Sequence, residues 1–303
     1  VNTGYGPRNR PSLGSITSRV RGPNHPLTGM PTYVQMGNIG FNTDAPIIPG
    51  SAWLGKAFGP FTPSGPSRAN MNLTTQVSRL EDRRSLLKGL DKIRRDVDAK
   101  GVMDGIDGMN HQAFSLILGK ATQAFDMKRE DPRVVAKYGG GLGQSLLTAR
   151  RLCEVGCGFV AVSLQGWDMH GNVAGGMNGR GPQVDRAVSA FVSDIHQRGL
   201  DKNILLVISG EFGRTPRINK NAGRDHWGPL STLALAGGGL NMGQVVGKSS
   251  PKAEVPAGGK VGPQELMATV FHVLGIERET SFDDPAGRPI PMLGTGQPIK
   301  GLI

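Results

Sequence analysis

The sequence predicts an α/β fold built on parallel strands, and three observations carry that expectation. Phe159-Val160-Ala161-Val162-Ser163-Leu164 and Ile204-Leu205-Leu206-Val207-Ile208 are short, largely apolar, β-branched runs of the kind that a sheet buried on both faces requires. Between them Pro182 opens a segment whose Val184, Ala187, Val188, Phe191, Val192 and Ile195 recur at helical spacing, and Gly199 supplies its stop. Strand, loop, helix and strand in that order make a βαβ unit. Such a unit sets its strands parallel and brings the loops that follow them to one sheet edge, where open α/β sheets bind ligands.

The other elements follow in chain order. A short helix is expected at Leu13 to Val20, but residues 1–76 are otherwise rich in Gly, Pro, Asn and Ser and would make poor independent core. Two long helices are expected next, Ser78 to Lys100 with an apolar stripe of Leu80, Leu86, Leu87, Leu90, Ile93 and Val97, and Asp107 to Phe125 around Phe114, Leu116 and Ile117. A helix from Gly143 to Val155 begins the α/β alternation, which continues to a strand at Ser231 to Ala236 and a short one at Gln244 to Gly247. The last helix starts at Pro263, shows one face of Leu266, Met267, Val270, Phe271 and Leu274, and ends at Gly275. The expected organisation is one domain over 1–303: a loop-rich 1–76, a helical covering region at 77–142 and an α/β core at 143–303.

A chain of 303 residues can bury a sizeable core, and its net charge of +11 suits an acidic partner. The basic residues are scattered, with no aromatic-rich binding motif, which argues against nucleic acid. Many lie on the Ser78 to Lys100 helix, where Arg83, Arg84, Lys88 and Lys92 alternate with acids as on a solvated face. Cys153 and Cys157 are too few for a structural zinc site and read as small buried hydrophobes. No apolar run approaches the roughly eighteen residues of a membrane span, so no transmembrane segment is expected.

The chemistry concentrates in three segments: Gly166-Trp167-Asp168-Met169-His170-Gly171-Asn172, Ser209-Gly210-Glu211-Phe212-Gly213-Arg214-Thr215 and Gly223-Arg224-Asp225-His226-Trp227-Gly228. In extended chain, side chains two apart face one way, so Asp168 and His170 can present a carboxylate and an imidazole to one point. Glu211 offers a second carboxylate, and Asp225 and His226 add a third and a second imidazole, although adjacent residues on a strand diverge unless a turn intervenes. Oxygen and nitrogen donors in this mixture suit zinc or manganese, with calcium or magnesium as further candidates. Arg214 then reads as an anion clamp, its planar fork matching a phosphate or sulfate edge. The spacing equally allows Glu211 to pair with Arg214 while Asp225 and His226 brace a loop. The glycine clusters at Gly139 to Gly143 and Gly237 to Gly239 read as a helix entry and a turn, and His25, His111, His196 and His272 as structural or solvent-exposed.

With those residues in view, the chain resembles the bacterial family called domain of unknown function 1501, of the alkaline phosphatase-like superfamily. The likeness runs through Leu13-Gly14-Ser15, Leu80-Glu81-Asp82-Arg83-Arg84, Arg129-Glu130-Asp131-Pro132, Gly143-Gln144-Ser145 and Asp284-Pro285-Ala286-Gly287-Arg288-Pro289. Its most specific motifs are Gly210-Glu211-Phe212-Gly213-Arg214-Thr215-Pro216 and Gly223-Arg224-Asp225-His226-Trp227. The resemblance implies an alkaline phosphatase-like fold, a mostly parallel central sheet with helices on both faces. It also implies a metal-dependent hydrolase of phosphate or sulfate esters, acting on an anionic small molecule or polysaccharide, in an exported, periplasmic protein. It puts Asp168, His170, Glu211 and His226 in the roles of metal ligands. Where sulfatases and phosphatases carry a metal-binding Asp-His-Gly, this chain has Gly210-Glu211-Phe212-Gly213. The superfamily's nucleophile and first metal-binding acid precede the matched region, so the resemblance implies that Val1 begins inside the domain and that the nucleophile is absent. The other reading is a non-catalytic cell-envelope binding or scaffold protein that keeps this fold.

Overall fold

A computed structural model describes residues 10–37, 50–63 and 120–303. The expected helices at Ser78 to Lys100 and Asp107 to Phe125 lie outside the described residues, apart from a 3-10 turn at Lys120–Phe125.

Five helices organise the described chain. Helix α1 (Leu13–Arg21) starts at Ser12, whose side chain accepts from the Ser15 amide. Helix α2 (Pro132–Tyr138) carries proline at its first turn and is capped by Asp131. Helix α3 (Leu142–Glu154) packs along α4 (Val173–Gln197). Helix α5 (Pro263–Leu274) ends at Gly275, whose φ of 64° and ψ of 31° are left-handed, so the proline start and glycine stop read from the sequence are both present. Among the described residues no helix is long and apolar enough to cross a membrane.

The expected mostly parallel central sheet is not formed. The described strands make five separate two-stranded pairs, of which one is parallel. In that pair β1 (Tyr33–Met36) lies beside β2 (Phe159–Val162) in the register Tyr33 to Phe159. Strand β3 (Leu205–Ile208) pairs not with β2 but with β6 (Ala234–Gly237), antiparallel. The βαβ inference therefore fails in its pairing. The edge of β2 is occupied by β1, from the stretch expected to be core-poor, and the long return after β3 brings β6 back in the opposite direction. Met30, Tyr33 and Val34 are almost wholly buried, with Tyr33 edge-on to Phe159 at 5.5 Å. Strands β2 and β3 are half-buried rather than covered on both faces.

Three boundaries also move. Helix α4 begins at Val173, and Pro182 lies inside it rather than at its start, because Asn172, ten residues before that proline, caps it by accepting from the Gly175 amide. The third expected strand is confined to Ala234–Gly237, and Gln244 to Gly247 is not a strand: the short pair there is β7 (Lys248–Ser249) with β8 (Pro256–Gly258). Both cysteines are free thiols, and burial raises them, Cys153 to about 12.

Two apolar clusters hold this frame. One joins α1 and α5 through Leu13, Ile16, Met267 and Phe271, and the other joins α2, α3, α4 and β3 through Tyr138, Leu147, Phe191, Ile195 and Ile204. Their consequence for function is that β3 and the C-terminal half of α4 are fixed, with Val162 at the end of β2 packed against the second cluster, and the chemistry-bearing loops lead off from these strands.

Candidate metal centre

The loop leaving β2 carries Asp168 and His170 and runs into the cap of α4. The loop leaving β3 runs through Glu211 and Phe212 into a two-stranded ribbon, β4 (Gly213–Arg214) against β5 (His226–Trp227), with Arg214 opposite His226. A bridge between Gly171 and Ala222 and a hydrogen bond from the Arg224 amide to the Met169 carbonyl lay one loop on the other. This approach needs glycine at position 223, since a Cβ there would sit 2.0 Å from the His170 carbonyl carbon.

Three donor atoms converge. His170 Nε2 is 3.0 Å and His226 Nε2 is 2.9 Å from the same Asp168 oxygen, Oδ1, and the two nitrogens are 3.1 Å apart. Asp168, His170 and His226 form the one His/Cys/Asp/Glu group among the described residues with geometry that could hold a metal ion. All three are exposed, their side chains retaining between 46% and 55% of their accessible surface.

Asp225 and His226 both reach the site, and the divergence of adjacent residues is resolved at His170. That ring meets His226 and Asp168 through Nε2, while its Nδ1 lies 2.7 Å from Asp225 Oδ1 on the other side. Asn219 donates to the same Asp225 oxygen and to the His170 carbonyl, each at 3.1 Å. Arg214 donates from Nη2 to Asp168 Oδ1 at 2.7 Å and from Nη1 to the Arg224 carbonyl at 3.3 Å. Arg214 is thus paired with Asp168 rather than with Glu211. The hydrogen bond from His226, followed by that from Arg214, holds the Asp168 carboxyl down at about 2. Asp225 is likewise lowered, chiefly by its bond with His170.

Glu211 is exposed and stands outside the group of three. Two residues not singled out from the sequence belong to the site. Phe212 stacks on His226 with ring centroids 4.4 Å apart, and Asn219 anchors Asp225. The signal for Phe212 was that it is the one aromatic residue within the Glu211 to Arg214 motif. Nothing local marked Asn219.

A family model described as protein of unknown function, DUF1501, matches residues 1–303. The chain belongs to the DUF1501 family. No curated protein and no solved structure matches it. The site of this DUF1501 chain is therefore interpreted from its own geometry.

Proposed function

We propose that Asp168, His170 and His226 hold a divalent metal ion, zinc or manganese, in a hydrolase of phosphate or sulfate esters that works outside the cytoplasm. The observation that carries this reading is the triangle of donors. Each imidazole Nε2 bears at most one hydrogen, so two such nitrogens and one carboxylate oxygen at mutual distances of 2.9 to 3.1 Å cannot all be joined by good hydrogen bonds. Ligand atoms about 2.0–2.1 Å from a tetrahedral zinc ion lie roughly 3.3 Å from each other, so opening this triangle by a few tenths of an ångström would admit the ion. Exposure on one side agrees with a catalytic site that keeps a position open for substrate. The ion, when bound, would polarise an ester oxygen and stabilise developing negative charge.

The surrounding residues suit that task. Asp225 accepts the Nδ1 proton of His170, which fixes the tautomer that presents a lone pair at Nε2, and Asn219 holds Asp225 in place. Phe212 restrains the His226 ring from one side. Arg214 neutralises part of the charge on Asp168 and has further N–H donors on the same fork for an anionic oxygen.

A second reading is favoured by one observation: Arg214, Asp168, His170, Asp225 and Asn219 are already linked as a brace between loops, as in a binding or scaffold protein without catalysis. Elemental analysis of purified and zinc- or manganese-loaded protein separates the two. About one equivalent of metal, lost in both His170→Ala and His226→Ala, with turnover of aryl sulfate or phosphate esters by metal-loaded full-length protein, supports the hydrolase. No metal uptake, with melting unaffected by chelator, supports the brace.

A further inference from the structure

An open groove of about 520 Å³ runs along α4, lined among others by Trp167, Met177, Val184, Asp185, Val188 and Ile208. Its size falls within the roughly 300–1,000 Å³ of small-molecule sites. It lies beside the metal loop: Trp167 immediately precedes Asp168, and Ile208 ends the strand that leads to Phe212. Of the α4 residues that line it, Val188 packs against the core cluster of Ala187, Phe191 and Ile195, while Asp185, Ser189 and Val192 turn outward and are exposed. Met177 also keeps 46% of its surface exposed, so a row of apolar side chains faces open space beside a polar centre.

The charges along the groove are ordered. Near the metal loop, the Arg180 guanidinium lies against Gly166, two residues before Asp168; a Cβ at position 166 would come within 2.3 Å of Arg180 Nη2. Glycine is required there twice, because its φ is also +90°. Arg180 forms no ion pair among the described residues. Farther along the helix the charged group in the lining is an acid, Asp185. A cation beside the metal loop and an exposed acid on the groove's far rim favour a ligand with a negative head and an uncharged body.

We propose that the groove is a subsite for the uncharged, apolar body of an anionic ester whose phosphate or sulfate head is held at the metal centre between Arg214 and Arg180. The proposal rests on the metal-dependent reading of that centre. The test is calorimetric binding of 1-naphthyl phosphate and of inorganic phosphate to the zinc-loaded protein. The aryl ester should bind at least tenfold more tightly than inorganic phosphate. Val188→Arg should erase that margin without changing zinc content or phosphate affinity, and Met177→Glu, at a more exposed position, should do the same if Val188→Arg fails to fold. Arg180→Gln should weaken the aryl ester several-fold at unchanged zinc content. Equal affinity for the two ligands, a margin that survives both groove variants, or a dimer in sedimentation that Val188→Arg dissociates would overturn the proposal. If zinc is not taken up, the metal reading fails by itself, and the groove is then tested on metal-free protein with 1-naphthalenesulfonate by quenching of tryptophan fluorescence. Binding lost in Val188→Arg or Met177→Glu would uphold the groove as a site for apolar anions; no binding would overturn it.

Discussion

At the two ends of α4 sit two charged clusters made from similar groups and set at different depths. At the C-terminal end Arg150, only 1% exposed, reaches Glu130 at 2.6 Å, Glu154 at 2.5 Å and Asp194 at 3.0 Å. Arg151 and Arg198 add further pairs to Glu130, Arg198 also bonds Asp194, and the Tyr138 hydroxyl donates to Asp194. Three guanidinium groups thus face three carboxylates, with Arg150, Glu130 and Asp194 buried and Arg198 and Glu154 at the rim. At the N-terminal end Asp168, His170 and His226 meet in solvent, with two imidazole nitrogens aimed at one oxygen. Burial forces the first cluster to be matched, because an unpaired ion there costs several kcal/mol. No such force acts on exposed groups, and their convergence has two candidate causes, the metal ion proposed above and the brace that links them to Arg214, Asp225 and Asn219.

The largest test of that contrast is Arg150→Ala. Removing this cation takes the most buried partner from Glu130 and Asp194, leaving them to Arg151 and Arg198, and should cost about 3 kcal/mol of stability. His170→Ala, on exposed chain, should change the stability of metal-free protein by no more than about 0.5 kcal/mol. Denaturant melts of the two variants give the comparison, and similar losses would break it.

The two ends also differ in how far they could be read from the sequence. Asp168 and His170 announce themselves by residue type and by their place after an apolar run, Asp225 and His226 by residue type alone, and these four do meet. Two of the three partners of Arg150 lie 20 and 44 residues away along the chain, and the local one, Glu154, does not mark that arginine as buried. Strand pairing was illegible for the same reason. A four-residue run such as Tyr33–Met36 has too little periodicity to stand out, and the direction in which Ala234–Gly237 meets β3 depends on the path between them. The helix at Pro263–Leu274 was legible because its start, stripe and stop are all local. Glu211 could not be placed from spacing. Glu211 and Phe212 lie in a bend ahead of the Gly213–Arg214 strand, where side-chain alternation does not hold.

A smaller effect separates the clusters by pH. Burial pushes the Glu130 carboxyl up, but hydrogen bonds from Arg151 and Arg150 outweigh it and hold it at about 2, against an ordinary 4.5. A carboxyl held lower in the folded than in the unfolded state contributes stability that is complete above its unfolded value and disappears as pH falls through the folded one. The melting temperature should therefore drop between about pH 4.5 and 2, and Glu130→Gln should start lower and descend less steeply over that window. Asp168 is also held at about 2, yet it is exposed and screened, so Asp168→Asn should leave the slope of metal-free protein nearly unchanged. Parallel profiles for wild type and Glu130→Gln would show that the buried cluster does not govern acid unfolding.

The smallest effects belong to the exposed end and sharpen what each carboxylate does there. Asp225 bonds the ring nitrogen of His170 that faces away from the donor triangle, so its expected part is to orient a ligand. Asp225→Asn should then weaken zinc binding by roughly 10–100-fold without abolishing it, because an amide can still accept from Nδ1 but without charge. Glu211→Gln should leave zinc affinity unchanged, since that side chain stands outside the triangle. Competition titration against a chelating dye measures both. Complete loss of zinc in Asp225→Asn would make Asp225 a direct ligand, whereas a large loss in Glu211→Gln would mean that the loop after β3 closes on the ion, and that the exposed end, unlike the buried one, is assembled by what it binds.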